Sequence, residues 1–177
     1  KVAPKYQKMR KIFAACGGAA IYRRALFDEI GLFDERHFAY LEDIDIGYRA
    51  RIYGYENIYI PDAIVYHAGS AVSGSKYNEF KTNLSSRNSI YIIIKNMPVF
   101  QILINLPFLI VGFMVKTVFF IRKGMGKLYI RGLGKGFLLY YKEGGKENHV
   151  PFKCSHLWNY IKLQWELWIN IIRRFFL

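Results

Sequence analysis

Apolar residues in the first third of the chain come in short bursts separated by turn-forming residues. Ile12–Ala15 has the composition of a short strand, and Cys16-Gly17-Gly18 follows as a turn where a backbone can approach a ligand closely. Leu26, Phe27 and Ile30 recur at helical spacing within Arg23–Ile30, with Gly31 placed as the C-terminal cap. A second helix is expected from about Glu42 to Tyr53, ended by Gly54. Glu42, Asp43 and Asp45 in its first turn suit the positive end of the helix dipole. Ile58–Ile60 and Ala63–Tyr66 are predicted as short strands around the Pro61-Asp62 turn.

Beyond this compact α/β pattern the apolar stretches lengthen. Tyr77 to Lys95 predicts a helix that stops near Met97-Pro98. Val99–Ile121 carries one charge, Lys116, and is long enough to span a bilayer. Asn105, Pro107 and Gly112 interrupt it, and basic residues flank both ends, whereas a simple span keeps such charges on the cytoplasmic side. The expectation is therefore a broken, re-entrant or in-plane element around Pro107, with one true span as the alternative. In Leu157–Leu177 the residues Asn159, Lys162, Glu166, Asn170, Arg173 and Arg174 form one polar stripe. Trp158, Ile161, Trp165, Trp168, Ile169, Ile172 and Phe176 fill the rest of the wheel. This is an amphipathic helix suited to a headgroup interface, or to packing on a core of its own.

Charge sharpens the division. The net charge is +13; residues 1–80 hold 11 Lys/Arg against 10 Asp/Glu, and residues 81–177 hold 15 against Glu143, Glu147 and Glu166 alone. Basic charge within an apolar, aromatic segment favours an anionic membrane surface over nucleic acid, although nucleic-acid binders draw on the same residue types. Cys16 and Cys154 lie far apart and form neither a metal nor a disulfide framework, which fits a reducing compartment.

The candidate chemistry sits between Gly17 and Ser73. A carboxylate at a loop-to-helix junction can act as a general base, and a histidine past a strand end, here His67, can reach a cleft as a metal ligand. By themselves such residues serve equally as a dipole complement and a structural histidine.

Order along the chain adds to this. The runs Gly18-Ala19-Ala20-Ile21-Tyr22-Arg23-Arg24, Ile30-Gly31-Leu32-Phe33-Asp34-Glu35 and Phe38 to Arg49 (FAYLEDIDIGYR) resemble the second half of family 2 glycosyltransferases with the GT-A fold, of the bacterial rhamnosyltransferase and galactofuranosyltransferase types. The resemblance continues through Gly54-Tyr55, Pro61-Asp62-Ala63, His67-Ala68-Gly69-Ser70, Arg87-Asn88 and Lys95-Asn96-x-Pro98, covering roughly residues 13–98. It implies that Asp43 is the general base of an inverting transfer and that Glu42 binds or orients the acceptor. It further implies that Gly17 and Gly18 border the donor sugar, that Arg87 neutralises a phosphate, and that His67 helps hold Mg or Mn. Asp45, two residues along the helix, is expected to turn away towards Arg49.

The family's nucleotide-binding half, with its Asp-x-Asp motif, is expected upstream of Gly17, so the chain is expected to be a fragment that is inactive alone. The fold expectation is α/β: residues 1–76 as the acceptor-side part of a GT-A domain, 77–98 as a connecting helix, and 99–177 as a mostly α-helical membrane-association region containing the apolar segment 99–121 and the amphipathic helix 157–177. The implied partners are a nucleotide-sugar donor, a glycan or lipid-linked acceptor and an anionic membrane surface, with no nucleic acid. The implied location is the cytoplasmic face of a bacterial inner membrane, peripheral, re-entrant or single-span. A non-enzymatic membrane-binding adaptor and a basic nucleic-acid-binding protein are the rival readings.

Overall fold

The computed structural model describes residues 6–66 and 77–176. They are mostly helical with one small sheet. The chain forms two compact units that interleave along the sequence. The first takes the residues up to Phe33, Asp43–Tyr66 and those from Phe152 onward; the second takes Asp34–Glu42 and the stretch ending at Pro151. This partition cuts across the sequence-order division at residues 76 and 98.

In the first unit, strands β1 (Arg10–Ile12) and β2 (Asn57–Tyr59) pair antiparallel, with Arg10 opposite Tyr59 and Ile12 opposite Asn57. This corrects three strand expectations. The first strand ends at Ile12, the second starts at Asn57, and Ala63–Tyr66 joins no ladder. No parallel sheet occurs among the described residues, so the α/β expectation reduces to a mostly helical chain with a two-stranded sheet.

Helices α1 (Arg24–Ile30) and α2 (Glu42–Ile52) bury Leu26, Ile30, Ile46 and Ala50 against one another, with Tyr22, Phe27, Tyr53 and Tyr55 packed around them. Gly31 caps α1 with φ 77°, donating its N–H to Phe27 O at 2.9 Å. Arg49 completes this end: its guanidinium donates to the carbonyls of Ile30, Gly31 and Leu32 while pairing with Asp45 at 2.8 Å, the Ile30 and Asp45 contacts being buried and the other two partly so. Asp45 thus faces Arg49, as its spacing along the helix implies.

The second unit is built on helices α3 (Glu79–Asn96), α4 (Val99–Arg122) and α5 (Gly126–Tyr141). Asn78 caps α3 by accepting the Lys81 N–H at 2.8 Å. Glycine lets α3 and α5 approach closely. A Cβ on Gly132 would overlap Ser86 Oγ, and one on Gly136 would overlap the Arg87 carbonyl and Ile90 Cβ. Tyr91, Leu139 and Tyr140 form the core beside this contact.

Helix α4 corrects the expectation of a break. It runs unbroken for 24 residues with Pro107 inside it, and is long and apolar enough to cross a membrane. Within it only Gln101 and Asn105 are buried; Leu103, Val111, Met114 and Val115 are exposed.

The amphipathic helix α6 (Leu157–Phe176) belongs to the first unit, with Asn159 and Glu166 of its polar stripe partly buried and Lys162, Asn170 and Arg173 exposed. Asn159 Nδ2 donates to Ile52 O at 2.9 Å, and Glu166 pairs with Arg51. Tyr160, Leu163 and Gln164 are buried, while Trp158 is 64% and Trp165 62% exposed.

The glycine contacts yield a paired prediction. Gly136→Ala forces a methyl group onto a carbonyl that cannot move without the helix, and should destabilise the chain by about 1–3 kcal/mol. Gly134, whose Cβ would meet nothing within 4 Å, should gain about 0.5–1 kcal/mol on conversion to Ala. Melting temperatures of the two variants, shifted in opposite directions, check this.

Candidate functional site

Asp43 sits in the first turn of α2. Its Oδ1 accepts the Ile44 N–H at 2.8 Å and its Oδ2 accepts the Gly17 N–H at 3.2 Å. The structure therefore brings Gly17 and Asp43 together across 26 residues of sequence. Gly17–Ala19 is a single 3₁₀ turn closed by the Ala19 N–H to Cys16 O bond, with Gly17 and Gly18 both exposed. Neither uses the left-handed backbone that Gly31, Gly54, Gly124 and Gly144 adopt.

Glu42 ends the loop of the second unit that begins at Asp34. This loop is strained: Phe38, Tyr40 and Leu41 have φ of 59°, 69° and 70°. Non-glycine residues in that region cost about 1–3 kcal/mol each and persist only where the surroundings enforce them. The enforcement comes from α3. Arg87 Nη2 donates to the carbonyls of Arg36 (2.9 Å) and His37 (2.8 Å). Asn88 Nδ2 donates to those of His37 (2.9 Å), Ala39 (2.9 Å) and Tyr40 (2.7 Å). Arg87 Nε donates to Asn88 Oδ1 at 2.9 Å, which fixes the amide with its NH₂ towards the loop. Glu42 Oε2 is buried, and no hydrogen-bond donor among the described residues reaches it.

The start of the loop is held by Asp34. Its carboxylate accepts from Tyr91 OH (2.7 Å), Lys95 Nζ (2.9 Å), Asn148 Nδ2 (2.7 Å) and the Arg36 N–H (3.0 Å). Burial pushes the Asp34 carboxyl upward, but the Tyr91 hydrogen bond and the Lys95 charge outweigh it and hold the group below its ordinary 3.8. Burial and the same hydrogen bond raise the Tyr91 phenol well above its ordinary value. His37 is fully buried, with its ring 5.1 Å from that of Tyr91.

Of the sequence-derived candidates, Gly17 and Asp43 are hydrogen-bonded, and Gly18 lies in the same turn as Gly17. Glu42 is the residue before Asp43 in the chain. Arg87 is engaged with the loop carbonyls. His67 lies outside the described residues. Among the described residues no group of three His, Cys, Asp or Glu side chains could hold a metal ion. Asn88, Lys95, Asp34 and Tyr91 hold the loop without being among the sequence-derived candidates. The available signal was the face Leu84, Asn88, Tyr91 and Lys95 of α3, where polar groups recur at core spacing.

Comparison with known proteins adds one local match. The chain is 43% identical over 51 residues to N-acetylglucosaminyl-diphospho-decaprenol L-rhamnosyltransferase of Mycobacterium tuberculosis, in strains CDC 1551 / Oshkosh and H37Rv alike. The match takes 29% of this chain and 17% of each relative's length, so the chain is a partial homologue of a glycosyltransferase. No protein-family model matches it, and no solved structure matches it.

Two outcomes are expected at this loop. Asp34 binds its proton less readily when folded than when unfolded. Its contribution to stability is thus complete above its ordinary value of 3.8 and lost as pH falls through the lower native value. Asp34→Asn should flatten that acid-side loss in a pH series of melting curves. It should also cost about 3–5 kcal/mol at neutral pH, because Lys95 is left buried without its partner. Asn88→Ala strips its donor from three loop carbonyls and should cost roughly 2 kcal/mol or more. Amide exchange rising selectively across residues 36–41 checks the second.

Proposed function

We propose that the chain is part of a glycosyltransferase that moves a sugar from a nucleotide-diphosphate donor to a glycan or lipid-linked acceptor at a membrane, with Asp43 as the general base. The observation that carries the reading is the local match to a rhamnosyltransferase whose name specifies a diphospho-polyprenol acceptor. The Asp43 geometry is consistent with the role. A carboxylate offers about four lone-pair positions, and the Gly17 and Ile44 N–H groups occupy two, orienting the group while leaving acceptor capacity.

In this reading an acceptor hydroxyl donates to Asp43 and its oxygen attacks the anomeric carbon. As the new C–O bond forms, the proton passes to the carboxylate. The bond to the diphosphate breaks with its electron pair on the leaving oxygen, and configuration inverts. Glu42, the neighbour of Asp43 in the chain, would help bind or orient the acceptor. Arg87 would serve through the loop whose carbonyls it holds. Gly17 and Gly18, exposed in their turn, would border the donor sugar. The Mg or Mn expectation rests on residues outside those described, His67 among them. Helix α4 supports placement at a membrane, since it is apolar and long enough to span one.

In the full-length protein Asp43→Asn should lower transfer by about 10²–10⁴-fold, while nucleotide-diphosphate binding stays near wild type. Radiolabelled sugar transfer measured alongside nucleotide titration tests this, and wild-type turnover in the variant would sink the assignment and favour a membrane-binding adaptor.

A further inference from the structure

The first unit contains an open cleft of about 440 Å³ between β1 and α6. Arg10, Lys11, Arg51 and Arg173 line it, against the single carboxylate of Glu166. That carboxylate is already paired with Arg51, and Lys11 is paired with Glu56 at 2.5 Å. Arg10 has a different setting: its guanidinium lies 5.1 Å from the Tyr6 ring and 5.7 Å from the Tyr59 ring. Aromatic faces steady a guanidinium without using its N–H donors. No carboxylate among the described residues pairs with Arg10 or Arg173, so a strand and a helix each present a cation to the same space.

Helix α6 connects this cleft to an apolar surface. Trp158, Ile161, Trp165 and Ile172, at steps of three, four and seven residues, are all about half exposed or more. Trp165, Ile169 and Arg173 follow at successive four-residue steps, so one row of the helix leads from the tryptophan stripe into the cleft, where Ile169 and Arg173 are wall residues. Indole rings favour the headgroup level of a bilayer, and arginine beside them reaches the phosphates.

We propose that this cleft binds the phosphate of an anionic phospholipid headgroup, with the tryptophan stripe of α6 resting in the interface beside it. The proposal rests on the membrane placement above but not on the transfer chemistry. Residues Arg10 and Arg173 are its phosphate donors, and the Arg51–Glu166 pair forms its wall.

All three tryptophans of the chain lie on α6, so intrinsic emission reports this helix alone. The full chain is titrated with phosphatidylcholine vesicles containing increasing phosphatidylglycerol. Wild type should shift its emission to the blue as the anionic fraction rises. Arg10→Gln/Arg173→Gln should need about tenfold more phosphatidylglycerol for the same shift, since each cation near an anionic surface counts several-fold. Lys8→Gln/Arg24→Gln, which removes equal charge from the first unit outside the cleft, should stay within about twofold of wild type. Arg10→Lys/Arg173→Lys should recover most of the response, which a merely misfolded cleft would not. Equal losses in the two Gln doubles would mean diffuse charge attraction and overturn the site. An Arg10- and Arg173-dependent emission change with millimolar inorganic phosphate alone, and none that follows phosphatidylglycerol, would assign the cleft to free phosphate and overturn the lipid. Asp43→Asn should leave the titration unchanged, so loss of transfer and loss of lipid binding are separable.

Discussion

Backbone carbonyls that point inward without a sheet to receive them are the constraint on which this structure depends. Among the described residues a single ladder joins three residues on each side, and an unpaired buried carbonyl costs about 1–3 kcal/mol. Side-chain donors fill the deficit. Arg49 takes the end of α1, Arg87 and Asn88 take the loop before Glu42, Asn57 takes Phe13 O and Asn159 takes Ile52 O. Because these donors carry several hydrogens in fixed geometry, one side chain can hold two or three carbonyls. That is how a loop with three positive-φ residues keeps one shape.

The two units answer the same problem with different chemistry. In the first, a guanidinium is paired to Asp45 on its own helix, one turn away, so its charge is balanced locally. In the second, Lys95 and Tyr91 come from α3 to an Asp34 that lies far away in sequence, and Asn148 closes the cluster. The Asp34 cluster shapes the loop ahead of Glu42, whereas the Arg49 cluster fixes the body of the helix that carries Asp43.

What could be foreseen from sequence follows this split between local and distant causes. The helices Arg24–Ile30, Glu42–Ile52, Glu79–Asn96 and Leu157–Phe176 lie within two residues of their expected ends, because caps, glycines and 3.6-residue periodicity are written within each segment. Asp45 and Arg49 were legible for the same reason. The strands were misplaced because three-residue ladders owe their bounds to the partner and not to composition. Pro107 was expected to break α4. It instead sits inside a continuous helix, where a proline removes one N–H donor without ending the helix. Helix α5 carried no separate expectation, since its glycines reduce helix propensity and acquire meaning only against α3. The roles of Asn88, Tyr91 and Lys95 depend on contacts across 48 to 61 residues, which no window along the chain contains.

The interleaving of the units has a consequence for biosynthesis. Arg51 and Ile52 emerge from the ribosome early, yet their partners Glu166 and Asn159 follow 115 and 107 residues later. Apart from Asp34–Glu42, which precedes both, the second unit lies between these two points, so it can fold while the first still lacks its closing helix. At translation rates of roughly 5–20 residues per second, β1, β2, α1 and α2 wait several seconds with the α6 side of their core uncovered. The late arrival of α6 makes the first unit the slower to close and the more exposed to misassociation during synthesis.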